Sequence, residues 1–589
     1  MNYFSDSSEW QWMFDNAIDW KRILPLYYPQ YPTVDGLETE EEVKSFLKEI
    51  LGGVGEWAGT SVREIGQLLD EQGAGKVENG RTINSEALER MVNEARELQV
   101  YGITLPQEYG GMELPNAVYM MSQNLLSRSC MCTSTLLGFY TSLGEMLIRY
   151  CPKEVADQYV PQIIEGKISG SMNLTEPECG SDLSAMKTSA TLQEDGTYLL
   201  NGQKIFITNG GGGLAFVLAK VKGDPDTLDG ISMFFVRQDH PGKEGANFVV
   251  DKAEEKMGMH GSFTTVVTYE DTIGELVGVQ GEGFKYMLHL MNEARILVGI
   301  QALGGIEESL DYAENYAKER VAFGKPLTEL PLMKRNLEDY ATERDAIRAL
   351  LADTMSWFDI YLKLDNKKVH TGCDLSDEEK KLYDEASMWT RKRTPLVKFY
   401  ATEAYTDLSK KAVQVLGGYG FIKEYPVERY HRDSFGPLLY EGTSQIQALM
   451  ALKDTLKYVM KDPKKFFSGM FFKHPTTALI NGDNEWSSQY KAVHYRFKKN
   501  LVSLVIGCLK PEAWKDVFDP KKWQQEERFE ELMTHAETLC WALSYTETLR
   551  VLCDHANKDS ARSDLFMRYH RLIEPRLEAI YKDWEIRGQ

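Results

Sequence analysis

From about residue 38 to 165 the apolar positions recur at helical spacing. In "LERMVNEARELQV" they share one face, and "VADQYVPQIIEG" repeats the pattern before a glycine stop. Between the two, "ITLPQEYGGMELP" is dense in Pro and Gly and reads as loop. From about 186 to 270 the pattern shortens to alternation and brief apolar runs ("TYLLNG", "KIFITNG", "LAFVLAKV", "ISMFFV", "NFVV", "TTVVTYE"), which predicts a small antiparallel barrel or sandwich. Asn201-Gly202 predicts a tight hairpin turn. Helical spacing returns over about 281–458. "FKYMLHLMNEARILVGIQALGGIEESLDYAENYAKER" is one long amphipathic segment with a possible break at Gly304–Gly305, and a second long helix follows Leu330. The charged insertion "LDNKKVHTGCDLSDEEKKLYDE" reads as a hairpin excursion, and "TRKRTPLVKFYATEAYTDLSKKAVQVLGG" resumes helix and stops on paired glycines. A last helical block, about 475–585, follows a linker-like stretch after Pro463. The expected fold is mainly α with a central β domain. Its divisions are an N-terminal extension (1–37), a helical domain (38–167), a β domain (168–275), a helical bundle (276–460) and an additional helical domain (461–589).

Bulk properties narrow the classes of function. A chain of 589 residues is expected to form two to four domains, and 43% hydrophobic residues is ordinary for a globular protein. The net charge of −21 repels phosphate backbones and anionic lipid, which argues against nonspecific nucleic-acid binding. Eight thinly spread cysteines with no CxxC pair suit neither a zinc site nor a disulfide framework, so reduced thiols, no metal and a cytoplasmic location are expected. The N-terminus lacks a basic region followed by an apolar one, and no apolar run is long enough to span a bilayer. One stretch stands apart: "MKDPKKFFSGMFFKHP", 460–475, is basic and aromatic, and reads as a linker packing on its neighbour or as a contact with an anionic membrane surface.

No strand leads into G-x-G-x-x-G, so the usual dinucleotide fold is not supported. Other motifs carry the chemistry. "MNLTEPECGSD", 172–182, is a polar loop that presents N–H groups to a ligand, or an ordinary Asx/Ser turn. In "NGQKIFITNG", 201–210, alternation puts Phe206 and Thr208 on one face, which suits a flat heteroaromatic ring, although core packing explains the Phe equally well. "RVAFGKPL", 320–327, sets Arg320 near Phe323 at a helix end, to hold a pyrophosphate or to complement the helix dipole. In "AVQVLGGYGFIKEYPVERYHRD", 412–433, the paired glycines admit a ligand close to backbone or simply cap a helix. Finally, "LLYEGTSQIQALMAL", 438–452, places Glu441 just ahead of a helix, where a carboxylate would serve as a cap or as a base.

Taken together, "LTEPECGSD", "NGQKIFITNG", "RVAFGKP", "QVLGGYGF" and "YEGTSQIQ" resemble, in order and spacing, the acyl-CoA dehydrogenases, a family of FAD-dependent enzymes. The resemblance covers roughly residues 80–455, and the added N- and C-terminal blocks are similar to a longer bacterial subgroup that includes 3-methylmercaptopropionyl-CoA dehydrogenases. It implies an N-terminal helical domain, a middle β-barrel and a C-terminal bundle, with Glu441 as the catalytic base. It further implies FAD contacts from Thr175, Phe206, Thr208, Thr443 and Gln445, and contacts to a neighbouring subunit's FAD from Arg320, Phe323, Gln414, Gly417 and Gly418. Ser181, Arg295, Tyr440 and Gly442 take the acyl-CoA side. Two positions depart from the family pattern. Pro331 stands where many members have a cofactor-contacting glutamine, and Ala294 stands where some carry their base, with Glu293 expected to point elsewhere on its helix.

The implied reaction is α,β-dehydrogenation of an acyl-CoA thioester to a trans-2-enoyl-CoA, with an electron-transferring flavoprotein as acceptor and a homodimer as the favoured assembly. An acyl-CoA oxidase on the same scaffold and a DNA-associated flavoprotein of the superfamily are the alternatives. Straight, branched, thioether-bearing and cyclic acyl groups all satisfy these motifs.

Overall fold

The computed structural model describes residues 1–370, 374–461, 484–509 and 526–587; the basic aromatic stretch beyond residue 461 lies outside them. The N-terminal layer consists of helices Glu40–Trp57, Arg63–Gln72, Glu86–Glu97, Asn116–Ser129, Met131–Tyr150 and Lys153–Ile164. Two of them start where the side chains of Thr39 and Ser85 accept the backbone N–H three residues on. Strands β1 (Gly75–Glu78) and β2 (Arg81–Asn84) form a hairpin about Asn79-Gly80, both at positive φ, a two-residue turn whose Asn-Gly signal the apolar pattern had hidden. Residues before 38 belong to the core. Trp10, Phe14 and Trp20 are buried, and the Tyr27 hydroxyl donates to Asp359 at 2.6 Å. Trp12 Nε1 donates to Asp559 Oδ2 at 3.0 Å, and the Arg562 guanidinium lies 3.9 Å over the Trp12 ring.

The β domain is built from β3 (Ser169–Asn173), β4 (Ser189–Leu192), β5 (Tyr198–Thr208), β6 (Gly213–Val221), β7 (Ile231–Arg237), β8 (Val249–Ala253) and β9 (Thr264–Val277). The pairings β6–β4–β5–β9–β7–β6 close a ring, with β3 beside β6 and β8 beside β9. Since β3 and β4 run parallel to β6, the barrel is mixed rather than purely antiparallel. Ala215, Val217, Phe234, Val236, Val267 and Tyr269 fill it. Asn201-Gly202 does not turn the chain. It lies inside β5 at a register shift, where a Cβ on Gly202 would come 2.5 Å from Thr188 Oγ1, and residues 193–197 make the hairpin turn instead.

The bundle is organised around an unbroken 37-residue helix, Gly283–Glu319. Gly304 and Gly305 do not break it; they let neighbours approach. A Cβ at Gly304 would lie 2.6 Å from Asn124 O on one side, and one at Gly305 would lie 2.1 Å from the Tyr405 ring on the other. Where it is described, the charged insertion is helical: it supplies the last turns of helix Pro331–His370 and the first turns of helix Asp377–Leu416, the second opened by a Ser376/Glu379 capping box. Helices Glu485–Leu509, Ala536–Lys558 and Ser563–Arg587 form the last layer. Buried Arg393 ties this layer to the bundle, meeting Asp353 at 2.8 Å and Glu547 at 3.2 Å, while Arg576 meets Glu343 at 2.6 Å. No helix among the described residues is long and apolar enough to cross a membrane.

Candidate active site

Between helices Phe435–Leu439 and Ser444–Lys461 the chain makes one tight turn, with Glu441 at φ +58° and Gly442 at φ +91°. A non-glycine residue in that region costs about 1–2 kcal/mol and persists only where its surroundings hold it. Three side chains do so. Arg295 Nε donates to Glu441 O at 3.1 Å, and Gln447 Nε2 to the carbonyls of Glu441 and Gly442, each at 3.1 Å. Lys398 Nζ donates to Leu438 O at 3.1 Å and Gly442 O at 2.8 Å. With the carbonyls engaged, the Glu441 carboxylate is left apart: its Oε2 is buried and without a hydrogen-bond partner. Burial raises its pKa against the pull of Arg295 and Lys398. A helix-capping carboxylate would show a bonded oxygen and a depressed pKa, whereas here Oε2 is unbonded and the pKa is raised. Tyr440 walls the turn, its hydroxyl donating to Gln301 Oε1 at 3.2 Å and lying 4.0 Å from the sulfurs of Met131 and Met259. Glu293 turns inward, away from solvent, against Glu145, and burial pushes both carboxyls up.

A second group gathers on the barrel. The loop holding Thr175 and Ser181 is folded over Glu176, which accepts Lys187 N at 2.7 Å, Thr188 N at 3.0 Å and the ammonium of buried Lys204 at 2.8 Å. Lys204 also donates to Leu174 O at 2.9 Å, and Thr175 O accepts Ile205 N at 2.9 Å, so loop and strand are locked together. Burial would raise Glu176, but Lys204 and the N–H donors hold it below the usual carboxylate range. A bulge between Lys204 and Ile207 puts Phe206 at φ +59° with its ring 60% exposed, while Thr208 stays half-buried. An aromatic face held out by a strained bulge is unexplained by core packing. Ser181 is exposed, as is Gln445; Thr443 is half-buried.

The third group is remote. Arg320, Gln414, Gly417 and Gly418, with Tyr316, Tyr419 and neighbours, line a cavity of about 460 Å³. Gly417 ends its helix at φ +63°, and a Cβ added at Gly417 or Gly418 would meet nothing within 4 Å, so the backbone there is open to a ligand. Phe323, at φ +52°, is 93% exposed. Arg295 lies inside helix Gly283–Glu319 and Arg320 caps its end, roughly 37 Å apart at 1.5 Å rise per residue, while Lys398 and Gln414 stand roughly 24 Å apart along helix Asp377–Leu416, so the Glu441 turn and this cavity lie well apart. Lys398, Gln447, Glu176 and Lys204 carry these geometries yet had not been singled out. The signal was present for Lys398, a lone cation inside the apolar run "TPLVKFYA", and for Lys204, a cation inside a barrel strand.

Two helical layers about a closed barrel, with a carboxylate turn at the edge of the bundle, define a three-domain α–β–α enzyme scaffold. The acyl-CoA dehydrogenase N-terminal, middle and C-terminal domain models match residues 61–167, 171–272 and 281–456. An acyl-CoA dehydrogenase of Bacillus subtilis (strain 168) is 35% identical over 356 residues, 60% of this chain and 86% of that protein. The 3-methylmercaptopropionyl-CoA dehydrogenase of Ruegeria pomeroyi is 30% identical over 443 residues, 71% of this chain and 72% of that protein. The solved structure of a Bacillus anthracis acyl-CoA dehydrogenase complexed with FAD has the same fold, with a TM-score of 0.76 over 96% of this chain and 92% of that one at 22% identity. The chain belongs to the acyl-CoA dehydrogenase family.

Proposed function

We propose that the protein catalyses FAD-dependent α,β-dehydrogenation of an acyl-CoA thioester, with Glu441 as the base that takes the α-proton. The observation that carries this reading is the unpartnered Glu441 Oε2, buried and raised in pKa on a turn whose Glu441 and Gly442 carbonyls are both engaged by other side chains. A carboxylate out of water gains basicity toward that of a carbon acid, and Gly442, lacking a side chain, leaves room for the thioester beside it. In this reading, as the family resemblance implies, the backbone N–H of Glu441 would be the donor on this chain that meets the enolate oxygen as charge develops there; one such donor contributes roughly 3 kcal/mol. Tyr440 supplies an apolar wall, Ser181 and Arg295 lie on the acyl-CoA side, and binding of the remote CoA moiety orients the reacting carbons.

The residues present fit FAD: an exposed Phe206 ring for a flat heterocycle, and an open Gly417–Gly418 backbone beside Arg320 and Gln414 for a nucleotide end. When bound, FAD supplies the acceptor for the β-hydrogen. Thr175, Phe206, Thr208, Thr443 and Gln445 would hold it on one side. Arg320 and Phe323 follow the far end of the helix that carries Arg295, and Gln414, Gly417 and Gly418 lie at the far end of the helix that carries Lys398, some tens of ångströms from Glu441 and too far for one FAD to touch both sets, so they would serve the FAD of a second copy. A dimer is therefore the smallest working unit in this reading, and the last helical layer would cover the face through which larger assemblies form. An electron-transferring flavoprotein is the acceptor that the family resemblance supplies.

The test is an anaerobic titration with a panel of acyl-CoAs, following loss of the oxidised flavin absorbance. The wild-type protein should bleach with one chain class, and Glu441→Gln should slow bleaching by on the order of 10³-fold or more while still binding FAD. A flavin band that no acyl-CoA bleaches would overturn the reading, and stoichiometric hydrogen peroxide in air would assign the oxidase instead.

A further inference from the structure

The Glu441 turn rests on a lysine that none of the five motifs contains. Lys398 lies midway along helix Asp377–Leu416 and has no accessible surface. Its two hydrogen bonds go to Leu438 O and Gly442 O, which bracket Glu441 on either side. Among the described residues its hydrogen-bond partners are thus neutral carbonyls rather than a carboxylate, an unusual state for a buried ammonium, since a buried charge is costly unless paired. The charged groups facing it are the Glu441 carboxylate across the turn, Arg295 from helix Gly283–Glu319 and Glu403 further along its own helix; Glu403 is engaged by the Ser444 hydroxyl at 2.5 Å. Burial lowers the Lys398 pKa, Glu441 and Glu403 raise it and Arg295 lowers it, leaving it pulled down to about 8. A lysine kept only to tie two carbonyls needs no charge; here the ammonium also acts electrostatically on the carboxylate that its tether positions.

We propose that Lys398 is the positioning residue of the base: it pins the two carbonyls that hold Glu441 in its left-handed conformation, and its charge keeps the carboxylate ionised, ready to accept a proton, although the carboxylate is out of water. This rests on the reading of Glu441 as the α-proton base. Arg295 and Gln447 fix the turn from other sides, but Gln447 carries no charge, so the two roles of Lys398 are separable from the clamp as a whole.

The experiment measures the rate of flavin reduction at saturating acyl-CoA against pH, in FAD-loaded wild type, Lys398→Met, Lys398→Gln and Gln447→Leu. Loss of the positive charge makes the carboxylate harder to ionise, so both Lys398 variants should move the acidic limb of the profile up by about one pH unit or more. Lys398→Met should also lose about 10- to 100-fold at the plateau, with Lys398→Gln, which retains one donor, losing less. Gln447→Leu, which frees Glu441 O and the shared Gly442 O without touching charge, should lower the plateau and leave the limb in place. Lys398→Gln carries the test if Lys398→Met does not retain FAD. An acidic limb unmoved in the Lys398 variants, whatever their plateau, would overturn the proposal while leaving Glu441 as the base. A wild-type protein that no acyl-CoA reduces would instead overturn the parent reading and this one with it.

Discussion

At Gly442 the backbone, rather than any side chain, sets what is allowed. Its φ of +91° is strained for every L-residue, and an added Cβ would fall 2.9 Å from Gln447 Nε2 and 3.2 Å from Ile446 Cγ2. Gly442→Ala should therefore destabilise the protein by roughly 1–2 kcal/mol in a denaturant titration. It should slow flavin reduction more than its stability loss suggests, because the displaced atoms are those that aim Glu441. Part of this was legible in "YEGTSQIQ": a carboxylate followed by glycine just ahead of a helix already poses the choice between cap and base. What tips the choice is the set of donors on the carbonyls at and around Glu441, and those come from Arg295, Lys398 and Gln447, up to 146 residues away. Long-range partners of a single carbonyl leave no periodic trace in the chain.

Among the elements, the long helix Gly283–Glu319 shows how one local signal supports two structures. A Gly-Gly pair inside a helical pattern is the same string whether it breaks the helix or lets others cross it, and only the presence of Asn124 and Tyr405 on opposite sides decides. Gly305→Ala should cost about 1–3 kcal/mol or more by forcing the Tyr405 ring aside, measured as a lowered urea midpoint. In the barrel, alternation predicted the strands correctly but not their faults. The bulges at Gly202 and at Phe206 re-aim side chains that strict alternation puts elsewhere, and both are anchored by contacts outside β5. The Glu176–Lys204 pair is that anchor. Its removal by Glu176→Gln leaves a buried ammonium uncompensated and should destabilise by roughly 3–5 kcal/mol. Because the folded Glu176 pKa is depressed, its contribution is fully present above the unfolded pKa and fades as pH falls through the folded one. Wild type and Glu176→Gln should thus converge in stability toward acid and differ most near neutrality.

Over the whole molecule, the order α, β, α and added α was legible because each block changes the period of its apolar residues. The joining of the last layer to the bundle was not, since it runs through charges. Glu547 lies buried among Arg393, Lys392 and Arg550; burial would raise its pKa, but these cations pull it down to about 2. Its contribution is therefore present above about pH 4.5 and lost as pH falls toward 2. Glu547→Gln should weaken the docking of the Ala536–Lys558 helix by about 3–5 kcal/mol at neutral pH, seen as earlier protease cleavage in that layer, and should lose its effect near pH 2. The Trp12–Asp559–Arg562 contact has a consequence in time rather than in space. It closes a span of 547 residues, so the loop entropy it must overcome is among the largest in the chain, and on the ribosome its second half emerges only after the helical domain, barrel and bundle have been made. The opening helix must therefore wait with Trp12 uncovered until His555, Asp559 and Arg562 arrive to meet it; docking there is a late event, and loosening it should hasten unfolding while leaving the speed of folding almost untouched.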